Sequence, residues 1–368
     1  MAEKLFRTNR FDFGPLLAAA VLVAFSVTDA QATNNSDTTE FNPGSQAVDS
    51  QLSRSNTTNF VAVIGNQISR FGGNLASFIL TVELPGEREG LAAGYEPERV
   101  GVWTNISATN IRDTVTATRY SGELRNYVVG ADYRYSDELL AGIALGKDHG
   151  EIDTPFNSGK VNTDSKTLSG YASYSFDETF SVDSILGYAH GSFDQVRNAG
   201  GIINASDTSF NRWFAQVNGN GVFPIPEVDN LLLAGQAGAL YAFERVDDFT
   251  ETGVGGNQVL SRSNPLTQLQ FSGRAGYSFF DLADGWVVHP YGQLRYIRDL
   301  QANRVDVGPG QVDHSNDDSE AQLSLGVDFF GGPNLSGNLE FTHSMLRENF
   351  RSNAFSVNLR WQFGPSAE

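Results

Sequence analysis

Five histidines, His149, His190, His289, His314 and His343, are the residues of this chain best suited to proton transfer or metal ligation. Their spacing argues against both. No H-E-x-x-H pair puts two imidazoles on one helix face, and no G-x-S-x-G turn presents a serine nucleophile. With no cysteine there is no thiolate and no disulfide framework. The loop DHSNDDSE gathers Asp313, Asp317, Asp318 and Glu320. Clustered oxygens suit a hard divalent cation or a bridge to lipopolysaccharide. Their spacing is not that of an EF-hand, so a solvated acidic loop is the simpler reading. No catalytic residue, cofactor or metal is expected.

A second set of charges is defined by position instead of motif. Asp132, Arg134, Arg274, Arg295, Asp328, Glu340 and Arg360 all fall on the polar side of an alternating pattern. They are expected to face a wet, mixed-charge lumen, where they pair with one another, contact a helix or line a pore.

The alternation is clearest in FSVNLRWQF. Phe355, Val357, Leu359, Trp361 and Phe363 take one face, and Ser356, Asn358, Arg360 and Gln362 take the other. Period two puts a greasy and a wet face on one strand. The pattern predicts strands at 100–114, 121–136, 139–153, 164–176, 180–196, 208–224, 230–249, 266–281, 286–300, 319–331, 335–347 and 353–363. After even-numbered strands the connections are short. After most odd-numbered strands they are longer and polar, at 154–163, 197–207, 250–265 and 301–318. Apolar-out, polar-in strands joined by short turns on one side and long loops on the other describe a transmembrane up-and-down barrel. An even strand count leaves both barrel ends on the short-turn side, so the preceding segment must enter the lumen to reach the other side.

That segment is predicted to be helical from Thr58. Phe60, Val61, Ile64, Ile68 and Phe71 recur at helical spacing, and Gly72-Gly73 ends the run. Residues 33–57 are rich in Asn, Ser, Thr, Asp and Gln and read as a flexible polar tail. At the start of the chain, Lys4, Arg7 and Arg10 precede an apolar run, Phe13–Val27, and the small-x-small site Ala30-Gln31-Ala32. This is the pattern of a cleaved signal peptide over residues 1–32.

Composition agrees. A mean hydropathy of −0.27 leaves no membrane helix in the mature chain, as expected when only alternate residues meet lipid. The 26 Phe and 12 Tyr suit interfacial girdles. A net charge of −18 argues against a nucleic-acid partner, which needs a basic surface.

Several segments resemble the autotransporter translocator β-domain of Gram-negative bacteria. They are GLAAGYEPERVGVWTN (90–105), YVVGADYRYSDELLAGIALGKDHGEID (127–153), FERVDDFTETG (243–253), HPYGQLRYIRD (289–299) and VNLRWQF (357–363). The resemblance implies an all-β, transmembrane, twelve-stranded antiparallel barrel with an α-helix in its lumen, where Phe60, Ile64, Ile68 and Phe71 fall. It divides the chain into a leader (1–32), a minimal passenger (33–57), a linker helix and connecting loop (58–99), the barrel (100–363) and a short tail (364–368). It also implies that barrel-assembly machinery reads the terminal aromatics Trp361 and Phe363, which Gly364-Pro365-Ser366-Ala367-Glu368 follow. The double asparagine at which some members cleave themselves is absent, and Asn66 is not assigned that role.

The expected function is anchorage in the outer membrane and translocation or display of the pre-barrel segment by a non-enzymatic monomer. Its partners would be outer-membrane lipid, lipopolysaccharide and the assembly machinery. The alternative is a passenger-less barrel serving as a small pore or as an adhesive or structural surface protein.

Overall fold

Twelve strands convert the alternation into a closed wall. The computed structural model describes residues 43–72, 99–115, 118–199, 201–225, 227–254, 256, 258–280, 286–302, 317–331 and 334–363. The strands are β1 (Val100–Asp113), β2 (Tyr120–Arg134), β3 (Leu139–Thr154), β4 (Gly159–Ser175), β5 (Phe180–Ala199) and β6 (Ile202–Pro224), followed by β7 (Leu231–Val246), β8 (Arg262–Tyr277), β9 (Trp286–Ala302), β10 (Ser319–Gly331), β11 (Leu335–Met345) and β12 (Phe350–Phe363). Each pairs antiparallel with its sequence neighbours, and β12 closes on β1 from Val100↔Phe363 to Asp113↔Phe350. Closure leaves no unpaired edge, which is what a sheet in hydrocarbon requires. The predicted leader, the first part of the predicted tail and residues 364–368 lie outside the described residues.

Burial alternates along the strands, and the expected apolar faces point outward. Tyr133, Phe271 and Trp361 are exposed, as is Phe363. At the short-turn rim the outward rings pair side by side: Tyr133–Tyr135, Tyr174–Phe176, Phe180–Phe223 and Tyr277–Phe279, with ring centroids 4.9, 5.3, 5.9 and 5.0 Å apart. Trp213 stacks on Tyr188 higher up, at 4.5 Å. Trp213 and Phe223 lie on one strand at a separation that projects to about 25 Å along the barrel axis, the height of the apolar band in such barrels.

Two expectations change. The polar connections read at 154–163 and 197–207 are largely strand. β3 and β4 run to Thr154 and from Gly159, and β5 and β6 to Ala199 and from Ile202. Here the strands extend past the apolar band, and Gly, Pro, Asn and charged residues interrupt the period-two signal although the ladder continues. We call this end the extended rim.

The helix is also longer than read. α1 spans Pro43–Gln67 and continues into a π-helical turn, Ile68–Gly72, instead of starting at Thr58. Residues 43–57 are therefore helix where a flexible tail was expected. Val48 and Leu52 are their only large aliphatic residues, too few for hydropathy to reveal a helix. At 1.5 Å per residue the 25-residue α1 is roughly 38 Å long, enough to cross the apolar band.

Candidate functional site

The interface between α1 and the barrel wall brings charged and apolar side chains of distant segments together. Near the extended rim, Val48 and Leu52 of α1 pack in an apolar collar of Ile111, Tyr120, Leu124, Ile152, Val161, Phe193, Phe210, Val246 and Phe350. The collar draws on β1 to β7 and β12. Below it, Phe60, Val61, Ile64 and Ile68 lean on the wall formed by β1 to β8, through Trp103, Val128, Ala144, Tyr171, Ile185, Phe214 and Leu240 among others. Phe60 meets Phe214 edge-on at 5.6 Å. Gly146 makes that seat possible: a Cβ there would stand 2.4 Å from the Phe60 ring. The Phe71 side chain lies outside the described residues.

Charged groups clamp the helix at three levels. Asp49 pairs with Arg262 of β8. Arg54 reaches Asp299 of β9 at 3.0 Å and Glu320 of β10 at 2.8 Å. Arg347, in the turn between β11 and β12, shares Asp299 at 2.5 Å and donates to Gln51 Oε1 at 3.3 Å. Burial, reinforced by the neighbouring Arg54 charge, pulls the Arg347 guanidinium below its ordinary pKa against the pull of Asp299 and Glu320. Arg70 in the π-helical turn pairs with Glu340 of β11 and lies 3.8 Å from Asp328 of β10. Tyr291 of β9 is the hub of this lower cluster. Its hydroxyl donates to Glu340 at 2.7 Å, and its ring carries Arg70 at 4.8 Å and Arg274 at 3.6 Å. Arg274 is in turn paired with Asp328. Both charges of each pair are withdrawn from bulk water, so breaking one leaves an uncompensated buried ion.

The remaining side of α1 faces β9 to β12 and β1 across a polar cleft of about 80 Å³. Asn59, Asn66, Gln67, Asn105, Gln293 and Asn358 are among its lining. Helix contact thus differs by side: apolar packing against β1 to β8, and ion pairs at the two ends of a polar cleft against β9 to β11.

The seven lumen candidates reach different places. Asp328, Glu340 and Arg274 join the Arg70 cluster. Arg360 and Asp132 form a separate bidentate pair, supported by Tyr171, which donates to Asp132 at 2.9 Å. Arg295 is buried and lines the cleft, but forms no ion pair among the described residues. Arg134 has the inward register yet lies at the short-turn rim, where it reaches the Asp137 carbonyl at 3.4 Å instead of the lumen. His289 is buried beside Ser278, at 2.9 Å. His190 and His343 face outward against Asn211 and Asn353.

Sequence reasoning missed Arg54, Asp299 and Arg347. It also misplaced Glu320, which was grouped with a solvated acidic loop but is buried on Arg54. Asp299 and Glu320 share the inward parity of their strands, and that parity was the available signal. Asp317 and Asp318 of the same loop accept from the Glu348 amide and pair with Arg298, while Asp313 and His314 lie outside the described residues.

Comparison with known proteins places this geometry. The autotransporter β-domain family model matches residues 102–342. The translocator domain of autotransporter NalP from Neisseria meningitidis superposes with a TM-score of 0.61 at 15% identity, covering 75% of this chain and 92% of that one. The β-domain of the Bordetella autotransporter BrkA gives 0.60 at 18% identity, covering 72% of this chain and all of that one. Escherichia coli YaiT, an uncharacterized protein, is 24% identical over 267 residues, which are 72% of this chain but 26% of YaiT.

Proposed function

This chain belongs to the autotransporter β-domain family and is an outer-membrane β-barrel; from that premise we propose that it is a translocator unit that carries its pre-barrel segment to the cell surface and holds it there. The direction of α1 carries this reading. Its N-terminal half sits in the collar near the extended rim, and Arg70 reaches the lower cluster nearer the short turns. The N-terminal end of α1 is therefore directed to the extended rim, the side that faces the exterior in barrels whose short turns are periplasmic.

The clamps and the collar give the helix a holding role. Three ion-pair levels on four barrel strands and one turn fix its depth, and the collar excludes water around Val48 and Leu52. This favours a plugged anchor over an open diffusion pore. The unit acts without catalysis, and Trp361 and Phe363 on the last strand are its proposed recognition point for assembly machinery.

A tag inserted after Ala32 tests the reading. Labelling by an impermeant reagent on intact cells is the expected result. A tag reached only after the outer membrane is opened would overturn it.

A further inference from the structure

We propose that Lys147, Lys166 and Arg245 form a docking row for the phosphate groups of an anionic glycolipid in the outer leaflet. The row is defined by sheet register. Lys147 stands directly opposite Lys166, Lys166 opposite His190, His190 opposite Asn211, and Asn211 opposite Arg245. All face outward; Lys147, Lys166, His190 and Arg245 are exposed.

Its level on the barrel identifies the occupant. One outward step towards the short turns, the same strands present Leu145, Leu168, Tyr188, Trp213 and Phe243 in register. The cations thus stand at the upper margin of the apolar band, where acyl chains end and headgroups begin. Directly opposed cross-strand side chains have Cβ atoms about 5 Å apart, and like charges there repel. Lys147 and Lys166 nevertheless face each other, and neither they nor Arg245 has a carboxylate partner among the described residues.

Further out the pattern changes. Arg125 pairs with Glu123, His149 with Asp164 at 3.1 Å and Lys160 with Glu151 at 3.2 Å. Like charges also face each other further out, at Arg112–Arg351 and Asp194–Asp207, where water and salt screen them; the Lys147–Lys166 row differs by standing at the lipid boundary. A phosphate placed over Lys147 and Lys166 turns their repulsion into two charge-assisted contacts. Arg245, three strands away, offers a second point for a headgroup carrying two phosphates. His190 is held at 3.0 Å by Asn211, which also accepts from Tyr188, so the middle of the row is fixed by the protein itself.

This inference rests on the extended rim facing the cell exterior, which the tag after Ala32 reports separately. The direct test uses folded protein in detergent, where orientation plays no part. Binding of purified bisphosphorylated lipid A is measured by native mass spectrometry for the parent chain and for K147Q/K166Q/R245Q. All three side chains are exposed, and folding of the variant is verified by its heat-modifiable band. The expected result is at least a tenfold loss of affinity in the variant and weak binding of lipid A stripped of phosphate. Equal affinity of parent and variant, or equal binding of the phosphate-free lipid, would overturn the proposal. Displacement by millimolar inorganic phosphate would overturn the lipid as the ligand.

Discussion

Arg360 grips Asp132 across Gly101. The guanidinium of β12 reaches the carboxylate of β2 over the intervening β1, at 2.7 Å between Nη1 and Oδ2, and both side chains are buried. A Cβ on Gly101 would stand 2.1 Å from Arg360 Nη2 and 2.5 Å from Asp132 Oδ1. The smallest residue on the first strand therefore lets the last strand be stapled to the second, at the seam where the barrel closes.

Arg360→Gln strands a buried carboxylate and is expected to cost about 3–5 kcal/mol. Gly101→Val should destabilise through the same contact while leaving both charges in place. Urea unfolding of the folded barrel measures each, and the two effects should be strongly non-additive. Independent, additive losses would mean that Gly101 does not serve the pair.

The helix clamps make a contrasting pair of predictions. Arg70→Gln removes the cation that Glu340 and Asp328 share and should cost about 3 kcal/mol or more. Arg295 is equally buried but forms no ion pair among the described residues, so Arg295→Gln should be close to neutral or stabilising. The difference in urea midpoint between the two variants is the measurement.

Gly146→Val should unseat α1 without opening the wall. Its side chain would occupy the space of the Phe60 ring, while β3 keeps its ladder hydrogen bonds to β2 and β4. Planar-bilayer conductance should rise towards that of a chain lacking residues 33–83. An unchanged, low conductance in both would show that α1 is not what closes the lumen.

On the lipid side, Leu186 is 66% exposed in the middle of the apolar band. Leu186→Arg should cost about 2–4 kcal/mol, measured by folding into lipid vesicles. In a water-soluble protein the same change at an exposed leucine would be nearly silent, so a silent result would contradict immersion of this face.

What could be read from the chain follows from what repeats. The alternation that put Tyr133, Phe271 and Trp361 on one face required only that one side of each ribbon meet hydrocarbon, so strand number, neighbour order and facing were legible residue by residue. The polar set Asp132, Arg274, Asp328, Glu340 and Arg360 was legible by the same parity. Arg54 was not, because residues 43–57 carry only Val48 and Leu52 as large aliphatic residues, and so polar a helix looks like a solvated tail.

The sequence by itself determined the barrel, since period-two hydropathy acts locally and every strand declares it independently. Which charge meets which was decided by tertiary structure alone. Arg54 and Glu320 are brought to 2.8 Å only when α1 enters the lumen and β9 and β10 stand beside it. Arg295 shares its residue type and its inward parity with Arg274, yet among the described residues Arg274 has an ion pair and Arg295 has none. A buried charge is satisfied by geometry across strands, and nothing in the linear order of residues records that distance.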